Sequence, residues 1–189
     1  MKHKKLNQNF FARPTLQVAR ELLGKFLVRK IGQRQIAAMI TETEAYRGPN
    51  DLASHASHGP AWPAGRRTPR TEVMFGPPGH AYIYLIYGMY HCLNIATEKE
   101  GYPAAVLIRG ASLFPKTYNL TPTLNGPGKL CRFLKIDKML NGDNLTISPR
   151  LWLEDRGNKI RPNQIKRTKR IGVDYAGPYK DKLWRFMIK

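Results

Sequence analysis

Apolar positions along the chain switch between a helical period and a two-residue period, and the switches mark out the elements. Leu16, Ala19 and Leu22 or Leu23 recur at helical spacing after Pro14 and Thr15, and Gly24 stands where a helix-ending glycine belongs, so a short amphipathic helix is predicted here. Phe26, Leu27 and Val28 begin an extended run. From Gln35 to Tyr46 the pattern alternates, with Ile36, Ala38, Ile40, Glu42, Glu44 and Tyr46 at one parity. In a regular strand these share a face. Tyr82–Leu85 and Tyr90–Ala96, separated around Gly88, predict a β-hairpin whose turn lies near Tyr87–Met89 and whose tip displays large apolar side chains. Ala104–Arg109 reads as a further strand, and Thr121–Gly128 as a polar Pro/Gly connection. Leu130, Phe133 and Leu134 predict a short helix from near Gly128, and Leu145–Ile147, Leu151–Leu153 and Trp184–Ile188 read as late strands. With no repeat and no linker, residues 1–189 are expected to form one domain.

Residues 47–79 break both periods. Pro49, Pro60, Pro63, Pro69, Pro77 and Pro78 exclude a helix or a central strand, which leaves a long loop. Such loops in compact domains commonly surround functional sites. This one carries His55, His58, Arg66, Arg67 and Arg70.

Charge adds a partner to this picture. The 189 residues, 42% of them hydrophobic, suffice for one core, yet 32 Lys and Arg against 13 Asp and Glu leave a formal charge of +19. An anionic partner is implied. Nucleic acid is the commonest, because neutralising phosphates releases condensed counterions. An anionic membrane is the rival, but no apolar run approaches the roughly 20 residues a spanning helix needs. Met1–Leu6 is basic without an apolar stretch behind it, unlike a secretory signal, so a cytoplasmic protein is expected. Cys92 and Cys131 form no C-x-x-C pair and read as buried free thiols.

Acidic residues are scarce, and Glu42 and Glu44 end an apolar strand. They read either as a solvated face or as carrying a catalytic role, and hydrolysis of a glycosidic bond needs a carboxylate to activate water, or to attack directly, beside an oxocarbenium-like transition state. Glu44, with Tyr46 beside it, fits that need. Tyr82, Tyr84, Tyr87 and Tyr90 crowd the hairpin. Cross-strand packing accounts for Tyr82 and Tyr90, whereas Tyr87 borders the turn and suits a wedge that unstacks bases. His55 and His58 form an H-x-x-H pair with no Cys or carboxylate set to complete a zinc site, so no metal and no cofactor is expected. Arg109 could close a surface ion pair. Gly126–Lys129 lacks P-loop spacing, and Lys166–Arg170 reads as a solvated or phosphate-contacting patch.

Taken together, Glu44-Ala45-Tyr46-Arg47-Gly48-Pro49, Ala53-Ser54-His55, Arg67-Thr68-Pro69-Arg70 and Tyr82-Ile83-Tyr84-Leu85-Ile86-Tyr87-Gly88-Met89 closely resemble the alkyladenine, or 3-methyladenine, DNA glycosylase family. Phe10–Arg13, Asn94, Arg109, Gly126–Cys131 and Arg170–Val173 extend the resemblance over nearly the whole chain. It implies an α+β fold: a single mixed domain with a curved, mostly antiparallel sheet, flanking short helices and a protruding hairpin. It also implies that Glu44 is the general base and that Arg109 helps hold the water. Tyr46, His55 and Tyr84 would sandwich the flipped base, and the amide of His55 would read the purine edge. Tyr87 would fill the vacated space, and Asn94 would exclude the exocyclic amino group of guanine. The implied partner is double-stranded DNA containing damaged purines, met by a monomer without cofactor. The resemblance assigns no role to Trp62.

Two other classes make different predictions. A non-catalytic minor-groove module would bind the same duplex but free no base. A metal-dependent nuclease would break strands in a chelator-sensitive way. The lysine content also leaves open a Schiff-base lyase, which the glutamate at the catalytic position disfavours.

Overall fold

The computed structural model describes residues 3–58, 65–114 and 124–189; Trp62 and Thr121–Thr123 lie outside them. Ten strands join into one curled antiparallel half-barrel, ordered β1(Lys4–Lys5), β8(Leu151–Asp155), β2(Phe26–Ile31), β3(Arg34–Tyr46), β6(Ala105–Phe114), β5(Tyr90–Ala96) and β4(Ala81–Ile86). β10(Arg185–Ile188) pairs with the C-terminal half of β3 and with β9(Ile165–Thr168), while β7(Leu124–Asn125) pairs with β6. The predicted α+β class and curved sheet are therefore observed.

Among the described residues, four short α-helices flank the sheet: α1(Gln8–Phe11), α2(Thr15–Glu21), α3(Glu72–Phe75) and α4(Pro127–Phe133). Pro14 leaves α2 without a side-chain cap of its own. Glu98 supplies one from afar, its Oε1 accepting from the Thr15 amide at 2.7 Å and the Thr15 hydroxyl at 2.8 Å. That satisfies an orphan donor and sets a carboxylate against the positive end of the helix. Val18, Ala19 and Leu22 then bury against Leu27, Ile40, Ile108 and Phe186 in the main core.

The alternation along β3 is interrupted, and this interruption forms the site. Ile40 pairs with Ala111 and Glu42 with Gly110, leaving Thr41 as an extra residue; Thr43 then pairs with Ile108, leaving Arg109 as an extra residue on β6. A β-bulge shifts the facing of every later side chain. Ile36, Ala38 and Ile40 face the main core, but beyond Thr41 that face is taken by Thr43, whose hydroxyl donates to the Ala19 carbonyl at 2.8 Å, and by Ala45. Glu42, Glu44 and Tyr46 consequently turn away from the core side chains they were expected to accompany. Regular parity holds on each side of the bulge and fails across it.

Three other expectations change. Leu145–Ile147 is a turn: Asn144 makes an isolated bridge to His80, and Ile147 stands 74% exposed. α3 interrupts the long loop, and Lys166 and Arg167 lie in strand β9. Short elements of four residues are stabilised by their tertiary neighbours and leave little periodicity to detect.

Candidate active site

Glu44 has no solvent-exposed surface, although a carboxylate is costly to bury. Its partners explain how it stays there. The Ile171 amide donates to Oε1 at 3.1 Å, the Tyr46 hydroxyl donates to Oε2 at 2.9 Å, and Arg109 Nε lies 3.6 Å from Oε1. Burial lifts its pKa above the ordinary carboxylate range, against the opposing pull of Arg109, the Ile171 amide, Tyr46 and Arg185. A carboxylate raised in this way is a better proton acceptor near neutral pH. The Tyr46 hydroxyl is held protonated by burial and by Glu44 itself.

Glu42, two residues earlier on the same face, binds differently. Its Oε1 lies 2.6 Å from Arg185 Nε and 2.9 Å from Arg109 Nε, the second contact being too bent for a hydrogen bond. Arg109 thus stands between two carboxylates. Its side chain is largely buried, which excludes the exposed surface ion pair considered for it.

Around Glu44 opens a cavity of about 520 Å³, within the range of small-molecule sites. All seven residues singled out from the sequence line it: Glu44, Tyr46, His55, Tyr84, Tyr87, Asn94 and Arg109. His55 meets the Tyr84 ring edge to face at 4.5 Å, and its Nδ1 shares a 2.8 Å hydrogen bond with the Tyr82 hydroxyl. Burial, assisted by Arg70, drops the His55 pKa to about 4, so this imidazole is neutral at physiological pH. Burial pushes the Tyr82 hydroxyl up to about 12. Tyr82 thus packs within the sheet, as its cross-strand reading requires, and also anchors a cavity wall. Asn94 Nδ2 donates to the Tyr82 carbonyl at 3.2 Å, which pins its amide on the hairpin.

At the mouth, Tyr87 is 84% exposed, with Leu85 and Met89 also exposed beside it. Tyr87 and Gly88 both adopt positive φ, 52° and 68°, and the Met89 amide bonds to the Ile86 carbonyl at 3.2 Å. Two successive left-handed residues make the tight primed turn that matches strand twist. Glycine bears this without cost, whereas tyrosine is strained by its Cβ. The far wall is Asn125–Lys129 with Arg132, where Pro127 occupies the first turn of α4. A side chain at Gly128 would press on the Tyr90 ring at 3.0 Å.

Among the described residues, no three His, Cys, Asp or Glu side chains cluster as metal ligands, and no helix is long and apolar enough to cross a membrane. Cys92 and Cys131 are buried free thiols.

The methylpurine-DNA glycosylase (MPG) family profile matches residues 9–189. The chain belongs to this family. A protein of Methanocella arvoryzae named "Putative 3-methyladenine DNA glycosylase" is 50% identical, over 97% of this chain and 92% of its own. Proteins with the same name from Desulfitobacterium hafniense and Clostridium acetobutylicum are 44% and 42% identical, each over 98% of this chain and over 96% and 94% of their own. The protein is a DNA glycosylase that processes alkylated bases in DNA repair.

Sequence reasoning passed over the residues that hold this site from behind. Arg170, read as part of a basic patch, is buried: it chelates both oxygens of Asp51 and donates to the Ala45 carbonyl at 2.8 Å. Its guanidinium also lies 4.8 Å from the Tyr46 ring and 5.0 Å from Trp184. Asp51 in turn accepts from the Arg47 and Ala53 amides, each at 3.1 Å, and so braces the loop leading to His55. The one available signal was the Arg170–Val173 match, which sets Arg170 apart from the lysines before it.

Proposed function

We propose that the cavity receives an alkylated or deaminated purine rotated out of double-stranded DNA, and that Glu44 activates the water that hydrolyses its N-glycosidic bond. The observation that carries this is a fully buried carboxylate, with raised pKa, held by two hydrogen-bond donors with Arg109 close by, opening onto an aromatic cavity beside an exposed apolar hairpin tip. Glu44 takes the water proton, and its negative charge stabilises the cation developing on the sugar. Arg109 helps position the water. Tyr46, His55 and Tyr84 offer ring faces and edges to the base, and neutral His55 does not repel a cationic purine. Asn94 disfavours an exocyclic amino group at its position, a selection by exclusion. Tyr87 enters the stack and holds the space the base has left.

The enzyme is monofunctional and works as a monomer in this reading, since a glutamate forms no Schiff base with the abasic sugar. Incubation with duplexes carrying 3-methyladenine or hypoxanthine should release free base and leave the strand intact until alkali treatment. Binding without base release at any enzyme excess would reduce the protein to a DNA-binding module. Strand breaks trapped by borohydride would assign it a lyase step.

A further inference from the structure

We infer that Glu42 is a positioning residue of this reaction: clamped by Arg185, it draws Arg109 toward itself, so that the ion pair between Arg109 and Glu44 stays long and Glu44 is left facing the cavity. The inference rests on the proposed role of Glu44. Its geometry is specific. Arg109 Nε is 2.9 Å from Glu42 Oε1 but 3.6 Å from Glu44 Oε1, and Arg185 Nε holds that same Glu42 oxygen at 2.6 Å. The two bulges produce the arrangement, because the extra residue Thr41 turns Glu42 and Glu44 together away from the Ile40 face and Arg109 is the unpaired residue opposite. Gly110 completes it: a Cβ there would lie 3.1 Å from the Glu42 Cβ, so the backbone of β6 comes close enough to confine the carboxylate.

The physical consequence is a divided charge. Coulomb attraction in a partly buried site is strong and falls with distance. Were Glu42 uncharged, Arg109 would be free to close on Glu44, lowering its basicity and filling the space from which water is activated. The charged and titratable groups acting on Glu44 come from several elements: Tyr46 on β3, Arg109 on β6, Tyr84 on β4, Cys92 on β5 and Arg185 on β10, with Glu42 on β3 linked to it through the shared Arg109. Both arginines favour the Glu44 anion. Removing Glu42 therefore lowers the pH at which Glu44 becomes a base, whereas removing Arg185 raises it.

The test is single-turnover excision from a lesion duplex across pH, with Glu42→Gln, Arg185→Gln and Glu44→Gln. Glu42→Gln should cut the rate constant roughly tenfold to hundredfold, the scale on which misplaced catalytic groups act, while duplex affinity stays near that of the parent. Its acid limb should move to lower pH and that of Arg185→Gln to higher pH, opposite displacements that a loss of folding does not produce. Wild-type rates and limbs in both variants, beside a dead Glu44→Gln, overturn the inference and leave the role of Glu44 standing. An active Glu44→Gln overturns the proposed chemistry itself. If Glu42→Gln melts early, Glu42→Asp keeps the charge but not the reach to Arg109: a slower rate with a displaced acid limb is expected, and parental rate and limb in a folded Glu42→Asp overturn the inference.

Discussion

The cavity floor and the hairpin tip break the ordinary burial rule in opposite directions. The floor and the layer behind it bury charge, with Glu44, Arg170 and Asp51 out of water, while the tip exposes apolar surface in Leu85, Tyr87 and Met89. Each exception has its own physical support. Behind the floor Arg170 is fixed by Asp51, the Ala45 carbonyl and two aromatic rings. At the tip a tyrosine is held at φ 52°, a conformation its own backbone disfavours, and it projects into solvent. The floor suits chemistry, which needs atoms held to a fraction of an ångström. The tip suits mechanical work on a stacked duplex, which needs reach.

This contrast can be broken by mutation, beginning with the floor. Glu44→Gln should lower base excision by about 10²- to 10⁴-fold, the usual worth of a general base, with binding to lesion DNA retained. Normal turnover would remove Glu44 from the mechanism. In the parent enzyme the excision rate should rise with pH through a midpoint above 4.5, the ordinary glutamate value, because burial raises this carboxyl and only its anion is active. Asp51→Ala strips the partner from a buried guanidinium and should cost about 3–5 kcal/mol of stability. A thermal melt close to that of the parent would show that Arg170 is not structurally dependent on it.

The tip should respond in the other currency. Tyr87→Ala is expected to reduce excision of base-paired lesions by roughly tenfold or more, from the few kcal/mol that extrusion requires, and to spare unpaired lesions. Equal losses on both substrates would reject the wedge. Tyr87→Gly should leave the melting temperature unchanged or slightly raised, since glycine relieves up to about 1–2 kcal/mol of left-handed strain. The smallest expected effect concerns His55. Its folded pKa of about 4 lies below its ordinary 6.5, so the folded state resists protonation and stability should decline as pH falls through that window. Replacing His55 with glutamine should flatten that part of the pH–stability curve, and an unchanged slope would place the sensitivity elsewhere.

Periodicity alone located α2, β3, the hairpin and β10, because each carries enough apolar side chains at a regular interval to declare its face. It could not locate α3 or β9, which are too short, and it misread Leu145–Ile147, three residues whose composition suits a strand but whose backbone is used in a turn. The site was legible in a different way. Glu44, Tyr46, His55, Tyr84, Tyr87, Asn94 and Arg109 came from local motifs and family likeness, and all reach one cavity. Arg170, Asp51, Glu42 and Arg185 went unassigned because their roles depend on partners far along the chain.

What the sequence determined by itself is the set of candidate residues that meet at one cavity, the anionic partner that a charge of +19 demands, and the exposed turn that carries Tyr87. Those properties are local or additive, so no knowledge of neighbours is needed to read them. Only the tertiary structure decided that Glu42 and Glu44 face away from Ile40 and its core neighbours, that Arg109 stands between the two carboxylates, and that Arg170 is buried. The reason is register: an extra residue at Thr41 and another at Arg109 turn side chains from one face to the other. Bulges arise from pairing between residues far apart in the chain, Ile40 with Ala111 and Thr43 with Ile108, for which the alternation within either strand carries no sign.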